Sequence, residues 1–237
     1  MNRRLFYQIS CIALLLMGLM ACVREDVGPY QNDKQTYALT NFDRLDMGSA
    51  FTITVQQGAN FSIVAEGDQR NLNDLDVYTR NGTLFARYRN HNRSRQYQTS
   101  FLITMPTLRG VAFSGASQSE VSGFTSLSDL DIELSGASRG KFTVQASRTN
   151  IDLSGASKLD AIGSGTALVA ALSGASKLDA FRYPVGEALV NASGASNARV
   201  SVTNALVADA SGASSIRYRG TPKVQQRVSG ASTVQSE

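Results

Sequence analysis

A four-residue motif, Ser-Gly-Ala-Ser, recurs in LDIELSGASRGKF (130–142), NIDLSGASKLDA (150–161) and LVAALSGASKLDA (168–180). It occurs seven times, and the copies begin at Ser114, Ser135, Ser154, Ser173, Ser193, Ser211 and Ser229. Successive copies are 21, 19, 19, 20, 18 and 18 residues apart. Self-similarity at about twenty residues is typical of a solenoid, in which each repeat packs on its neighbours.

Apolar and polar residues alternate on both sides of the motif. The alternate positions before it, apolar except for one threonine, hold Leu130, Ile132 and Leu134, then Thr149, Ile151 and Leu153, then Leu168, Ala170 and Leu172. The set after it is Leu159 and Ala161, Leu178 and Ala180, Ala198 and Val200, and Ile216 and Tyr218. Such alternation predicts β-strands with these side chains facing a common core, so that each repeat is strand, tight turn, strand. A second turn of variable length, marked by Gly123, Gly163, Gly165, Gly186 and Gly220, is predicted to absorb the differences in repeat length.

These patterns predict an all-β, parallel β-helix-like solenoid with about 18–21 residues per coil over residues 111–232. Residues 39–110 are predicted to form N-terminal strands, because the same alternation appears there, for example in Phe51, Ile53 and Val55. Asn81-Gly82 between two alternating runs predicts a β-hairpin. No convincing amphipathic helix is predicted after residue 22, and no Leu-x-x-Leu-x-Leu spacing supports a leucine-rich repeat.

The N-terminal segment is typical of an exported bacterial lipoprotein. Residues 1–21 combine Arg3 and Arg4 with a short apolar run, which predicts a signal peptide rather than a membrane-spanning helix. Leu19-Met20-Ala21-Cys22 resembles a lipobox, so Cys22 is the predicted lipidation site. Residues 22–38 are predicted to be a polar tether. The expected location is the outer membrane, with the protein facing either the cell surface or the periplasm.

Composition excludes several classes of site. The chain has 237 residues, 42% of them hydrophobic, and a single histidine, His91, so no site can use two histidines. Cleavage of the signal peptide would remove Arg3 and Arg4 and lower the formal net charge from +4 to +2, which is no evidence for nucleic-acid binding. No cofactor is predicted.

Two carboxylate pairs are candidates for chemistry. Glu133 and Asp152 occupy the same outward position in adjacent repeats, and so do Asp160 and Asp179. Stacked coils would place each pair about 5 Å apart, close enough to act on a glycosidic bond or to share Ca²⁺. Lys158 and Lys177 could neutralise the second pair, and no aromatic groove is predicted beside either one. A solvated face is the competing interpretation for both.

A basic stretch and the motif itself are further candidates. Arg87 and Arg89 lie opposite the Leu84-Ala86-Tyr88 face of a predicted hairpin, where they could bind lipopolysaccharide or an acidic glycan, or simply be solvated. The motif serines are predicted to be structural, with hydroxyls bonding one coil away and glycine allowing the tight turn. Gly136-Ala137-Ser138-Arg139-Gly140 matches a nucleophile elbow but lacks the strand-turn-helix context that the elbow requires.

The tandem motif after Ile103-Thr104-Met105-Pro106 resembles the head GIN domain family of adhesin-like surface lipoproteins, over about residues 39–232. The resemblance implies a right-handed parallel β-helix without lyase catalytic residues, and a role in adhesion. The predicted function is a non-enzymatic, lipid-anchored adhesion or ligand-binding module. Its expected partners are the membrane, through the lipid, and a glycan or host-cell surface ligand, with self-association left open. The alternative is a polysaccharide lyase or glycosidase that uses the stacked carboxylates.

Overall fold

A computed structural model of the protein describes residues 28–237. The predicted signal peptide, Cys22 and the start of the tether lie outside the described residues. The strands are β1 (Asn32–Tyr37), β2 (Arg44–Met47), β3 (Thr52–Gln57), β4 (Ser62–Asp68), β5 (Leu75–Arg80), β6 (Thr83–Tyr88), β7 (Ser100–Met105), β8 (Gly110–Phe113), β9 (Gln118–Ser122), β10 (Leu127–Leu134), β11 (Arg139–Leu153), β12 (Lys158–Leu172), β13 (Lys177–Ala192), β14 (Asn197–Ala210), β15 (Ser215–Arg219), β16 (Lys223–Val228) and β17 (Thr233–Ser236). A single helical turn, α1 (Gln69–Leu72), follows β4.

The repeats stack as coils of a parallel β-helix, as predicted. β10 to β14 pair in parallel with the equivalent strand one coil away, and Leu153 lies between Leu134 and Leu172 in this ladder. The motif turns divide the coils into two walls. The upstream wall leads into the turns and consists of β5, β6, β2, β8, β10, the second halves of β11 to β14, and β16. The downstream wall leaves the turns and consists of β1, β4, β7, β3, β9, the first halves of β11 to β14, β15 and β17.

The core lies between the two walls and contains the predicted inward side chains. All of them are buried except Tyr218, which is partly buried against the core. The alternation therefore identified the inward face correctly, because successive side chains of a strand point to opposite sides of a sheet.

The second corner of the coil differs in form from the prediction. β11 to β14 continue through it as unbroken strands, so it is a bend within the ladder rather than a separate loop. It does absorb the length variation: the register between β13 and β14 shifts between Ala180 and Val185 and again before Glu187. Among the predicted corner glycines, Gly163 has a φ of 131°, a conformation that disfavours residues with a Cβ.

The motif turns are built by backbone contacts between coils. Gly155 has a φ of 71°, and its carbonyl oxygen accepts from Ala175 N at 2.7 Å in the next turn. The hydroxyl of the last motif serine bonds within its own turn, as in Ser157 Oγ to Ser154 O at 2.7 Å. The prediction that these hydroxyls bond one coil away is therefore wrong for most copies, because the last serine points inward and reaches the carbonyl three residues back.

The N-terminal coils are stacked out of sequence order. β2 lies between β6 and β8, and β3 lies between β7 and β9. β5 and β6 form the predicted antiparallel hairpin, with Asn81 at a φ of 51° and Gly82 at 75°. β4 runs antiparallel to β7, so this end of the solenoid is covered by antiparallel strands.

The tether prediction needs correction at its C-terminal end. Residues 32–37, predicted to lie in the tether, form β1, which pairs antiparallel with β4 from Asn32–Asp68 to Tyr37–Ile63. β1 lies at the edge of the sheet, and Tyr37 is its one large apolar side chain that packs against the core. Backbone hydrogen bonds rather than an apolar face hold this strand, so its sequence shows no hydrophobic alternation.

Candidate functional site

The outer face of the upstream wall carries the first predicted carboxylate pair. Glu133 and Asp152 are register partners on β10 and β11, and both are exposed. Asp46, Ala112 and Glu133 are aligned across β2, β8 and β10, so the carboxylates form one column along the wall. The adjacency predicted from the repeat is therefore present.

A shallow depression of about 520 Å³ follows this column. We call it the acidic groove; its lining includes Asp46, Phe85, Ala112, Glu133 and Asp152. Small side chains such as Ala112 leave room between the carboxylates. Within residues 28–237, neither Glu133 nor Asp152 has an ion-pair partner or a side-chain hydrogen bond, so both remain available to a ligand.

An aromatic pair that sequence reasoning missed stands at one end of the groove. The rings of Tyr78 and Phe85 stack at 5.1 Å between centroids, with an interplanar angle of 16°. The guanidinium carbon of Arg80 lies 5.4 Å from the Phe85 centroid, and that of Arg87 lies 5.4 Å from the Tyr78 centroid. The alternation of Leu84 and Ala86 places Phe85 outward, which was the available signal. Its position in the same column as Glu133, three strands away, depends on the non-sequential order of the coils.

Charged side chains shape one margin of the acidic groove. Arg44 Nη2 lies 2.8 Å from Asp131 Oδ2, and Asn150 Nδ2 donates to Asp131 Oδ1 at 2.8 Å. The hydrogen bond from Asn150, helped by Arg44, lowers the pKa of Asp131 below its ordinary value. Burial raises the pKa of Asp46, although Arg87 opposes the change. The groove therefore combines a firmly ionised aspartate with one whose carboxylate is easier to protonate.

The second predicted carboxylate pair lies on the outer face of the downstream wall. Asp160 and Asp179 are register partners on β12 and β13. Lys158 Nζ lies 3.0 Å from Asp160 Oδ2, as predicted. Asp179 is paired instead with Arg199 on β14, whose Nη1 lies 2.9 Å from Asp179 Oδ2, so the expectation for Lys177 is wrong. Arg199 lies one coil further along and stands directly beside Asp179 in the ladder.

The predicted basic stretch is held by local contacts. Arg87 is exposed and lies 3.5 Å from Asp76, and its guanidinium packs over Tyr78. Arg89 follows β6 and donates its backbone N–H to Asp74 O at 2.9 Å. Arg95 forms a close ion pair with Asp74 and packs over Tyr88. Arg87 and Arg89 do face away from the buried side of the hairpin, as the alternation predicts.

Residues 28–237 contain no group of three or more histidine, cysteine or acidic side chains arranged to hold a metal ion. No helix in the same range is long and apolar enough to cross a membrane. The acidic groove is open to solvent along its length. It can present carboxylates and one aromatic pair to an extended ligand lying along the wall.

A known protein family matches most of this chain. The sequence profile described as "Putative auto-transporter adhesin, head GIN domain" matches residues 41–222. The chain belongs to the head GIN domain family. That description names adhesins and no enzyme, and the match spans most of both walls of this head GIN domain. None of the curated proteins matches the chain.

Solved structures share the fold of this head GIN domain. A "putative adhesin" from Bacteroides fragilis is 20% identical with a TM-score of 0.80, and the match covers 87% of this chain and 97% of that one. A "putative adhesin" from Parabacteroides merdae is 15% identical with a TM-score of 0.70, covering 87% and 96%. A "putative lipid binding protein" from Parabacteroides distasonis is 15% identical with a TM-score of 0.68, again covering 87% and 96%. At these identities the likeness concerns the fold alone.

Proposed function

We propose that the protein is a non-enzymatic, lipid-anchored adhesion module of the outer membrane that binds a glycan or a cell-surface ligand through the acidic groove. The observation that carries the proposal is the row of unpaired carboxylates that ends at the half-buried Tyr78–Phe85 stack. Aromatic rings offer a flat apolar surface, and carboxylates accept hydrogen bonds from hydroxyl groups. Family membership supports adhesion as the biological role.

The open shape of the groove favours binding over catalysis. A hydrolase or lyase needs a positioned acid, a base and a site that excludes water. The acidic groove is a shallow surface on a flat wall, with exposed Glu133 and Asp152 side chains. A polysaccharide-acting enzyme remains the alternative, because these two carboxylates are adjacent in the ladder.

The binding test uses the purified chain on glycan arrays and on cells. We expect Phe85→Ala, and Glu133→Gln combined with Asp152→Asn, each to weaken ligand binding about tenfold, as loss of a central contact does. Glu120→Gln is the control, because it neutralises an exposed carboxylate on the other wall. The same samples should release no sugar products.

Two results would contradict the proposal. Binding that the groove variants leave unchanged would place the ligand elsewhere. Product release by the wild type that disappears in the Glu133→Gln, Asp152→Asn double variant would favour the enzyme alternative.

Lipid attachment at Cys22 would anchor the module to the membrane and leave both walls exposed to solvent. Cys22 precedes β1 by ten residues, which span at most about 35 Å when extended. β1 belongs to the antiparallel strands that cover the N-terminal end of the solenoid. A membrane anchor there would hold the covered end nearest the lipid and direct the repeat coils away from it.

The anchor is tested by Cys22→Ser. We expect this variant to move from the membrane fraction to the soluble fraction, because the acceptor thiol is removed. Cys11→Ser is the control, since Cys11 lies within the predicted signal peptide and should leave fractionation unchanged. Cys22→Ser protein that still sediments with membranes would exclude the lipoprotein interpretation.

A further inference from the structure

Three arginines surround one carboxylate on the downstream wall near the last coil. The Glu237 carboxylate lies 3.1 Å from Arg199 Nη2, 3.5 Å from Arg219 Nη2 and 3.8 Å from Arg217 Nη1. Glu237 N also donates to Tyr218 O at 2.9 Å, so the backbone fixes the position of this residue. We call Arg199, Arg217 and Arg219 the arginine cluster.

The arginine cluster is ordered before any ligand arrives. Arg199 is held by Asp179 at 2.9 Å, and its guanidinium carbon lies 4.2 Å from the centroid of the Phe181 ring. The guanidinium carbon of Arg219 lies at the same distance from that ring. Guanidinium groups stacked on an aromatic ring are restricted in orientation, so they lose less freedom when they bind an anion.

Positive charge exceeds negative charge at this place. Asp179 and Glu237 balance two of the three guanidinium groups, and Lys177 adds a further cation that has no ion-pair partner among the described residues. A depression of about 430 Å³ adjoins the cluster. Its lining combines cations with an amide and a hydroxyl group: Lys177, Asn197, Arg199, Ser215 and Arg217, with Ala198.

We propose that the arginine cluster and this depression bind a carboxylated polysaccharide, and that the Glu237 carboxylate occupies the anion position when the ligand is absent. Guanidinium groups favour carboxylates because they present several N–H donors in one plane. Asn197 and Ser215 supply hydrogen bonds for sugar hydroxyls. The open depression suits a polymer that lies along the wall. The inference rests on the proposed ligand-binding role but concerns the other wall.

The competition with Glu237 makes the inference testable. Binding of an oligogalacturonate to the purified full chain is measured by calorimetry at low salt. Glu237→Gln should lower the Kd about threefold to fivefold, because the ligand no longer has to displace the Glu237 carboxylate. The loss of an exposed intramolecular ion pair of this kind changes an equilibrium constant by about that factor. Arg217→Gln with Arg219→Gln should raise Kd about tenfold or more. Both arginine side chains are about half exposed, so the variant should fold normally.

Matched controls separate the site from the overall charge. Glu120→Gln removes one negative charge, as Glu237→Gln does, and Lys141→Gln removes one positive charge. Both lie on the same wall, far from the cluster, and each should leave Kd unchanged. A neutral oligosaccharide of equal length should not bind at the cluster. Poly-glutamate measures whether an acidic peptide binds equally well.

Three results would overturn the inference: a Glu237→Gln effect no larger than that of Glu120→Gln, oligogalacturonate binding that the arginine variants leave intact, and poly-glutamate binding without oligogalacturonate binding. The readout is independent of adhesion. Failure of the acidic-groove variants to alter cell binding would therefore count against the proposed function and not against this site.

Discussion

Leu153→Asp should destabilise the protein by about 5 kcal/mol or more, because truncating a buried leucine costs about 2–5 kcal/mol and burying an unpartnered polar group adds several more. Leu153 is fully buried and lies between Leu134 and Leu172 in the ladder. Among residues 28–237, the side chains packed around Leu153 in the core are apolar, so no basic group there could pair with the new aspartate. We expect the thermal midpoint to fall by on the order of 10–20 °C.

Asp152→Asn is the matched control for this prediction. Asp152 is the neighbouring residue on the same strand, but it points outward and is exposed. Its substitution should change the unfolding free energy by no more than about 0.5 kcal/mol. Thermal and urea unfolding of the two variants measures the difference. Similar losses of stability in both would mean that the inward and outward faces of β11 are assigned wrongly.

Gly155→Ala should cost about 2–4 kcal/mol, although it adds a single methyl group. Gly155 has a φ of 71°, and a left-handed backbone costs a residue with a Cβ about 1–2 kcal/mol. The new Cβ would also lie closer than 3.0 Å to Gly136 O, a backbone atom of the neighbouring turn. The two turns must separate, which weakens the hydrogen bond from Ala156 N to Gly136 O that now measures 2.7 Å.

Two further variants divide this cost into its parts. Gly115→Ala has the same conformational penalty at a φ of 79°, but its nearest atom is Ser49 N at 3.2 Å, so its effect should be smaller. Ala156→Ser lies in the same turn as Gly155 and is exposed, so it should be nearly neutral. Equal losses for Gly115→Ala and Gly155→Ala in urea unfolding would show that contact between turns contributes nothing.

The acidic groove could be predicted only in part. The pairing of Glu133 with Asp152 follows from counting residues between motifs, because equivalent positions of successive coils become neighbours. The aromatic pair at the other end of the groove could not be found in this way. Phe85 approaches the groove because β6 stacks on β2 rather than on a strand close to it in sequence. In the arginine cluster, Arg199 is aligned with Asp179 by the repeat, but the sequence favoured the nearer Lys177.

The coil, its tight turn and its buried face were determined by the sequence itself. The glycine turn and the alternation of apolar and polar side chains each depend on only a few neighbouring residues, and both recur in every repeat. The tertiary structure decided which coils are neighbours in the N-terminal region, how β1 joins the sheet edge and which side chain pairs with each carboxylate. Those outcomes depend on contacts between segments that lie far apart in the chain. Backbone pairing at a sheet edge and ion pairs on a wall leave no periodic signal in the sequence.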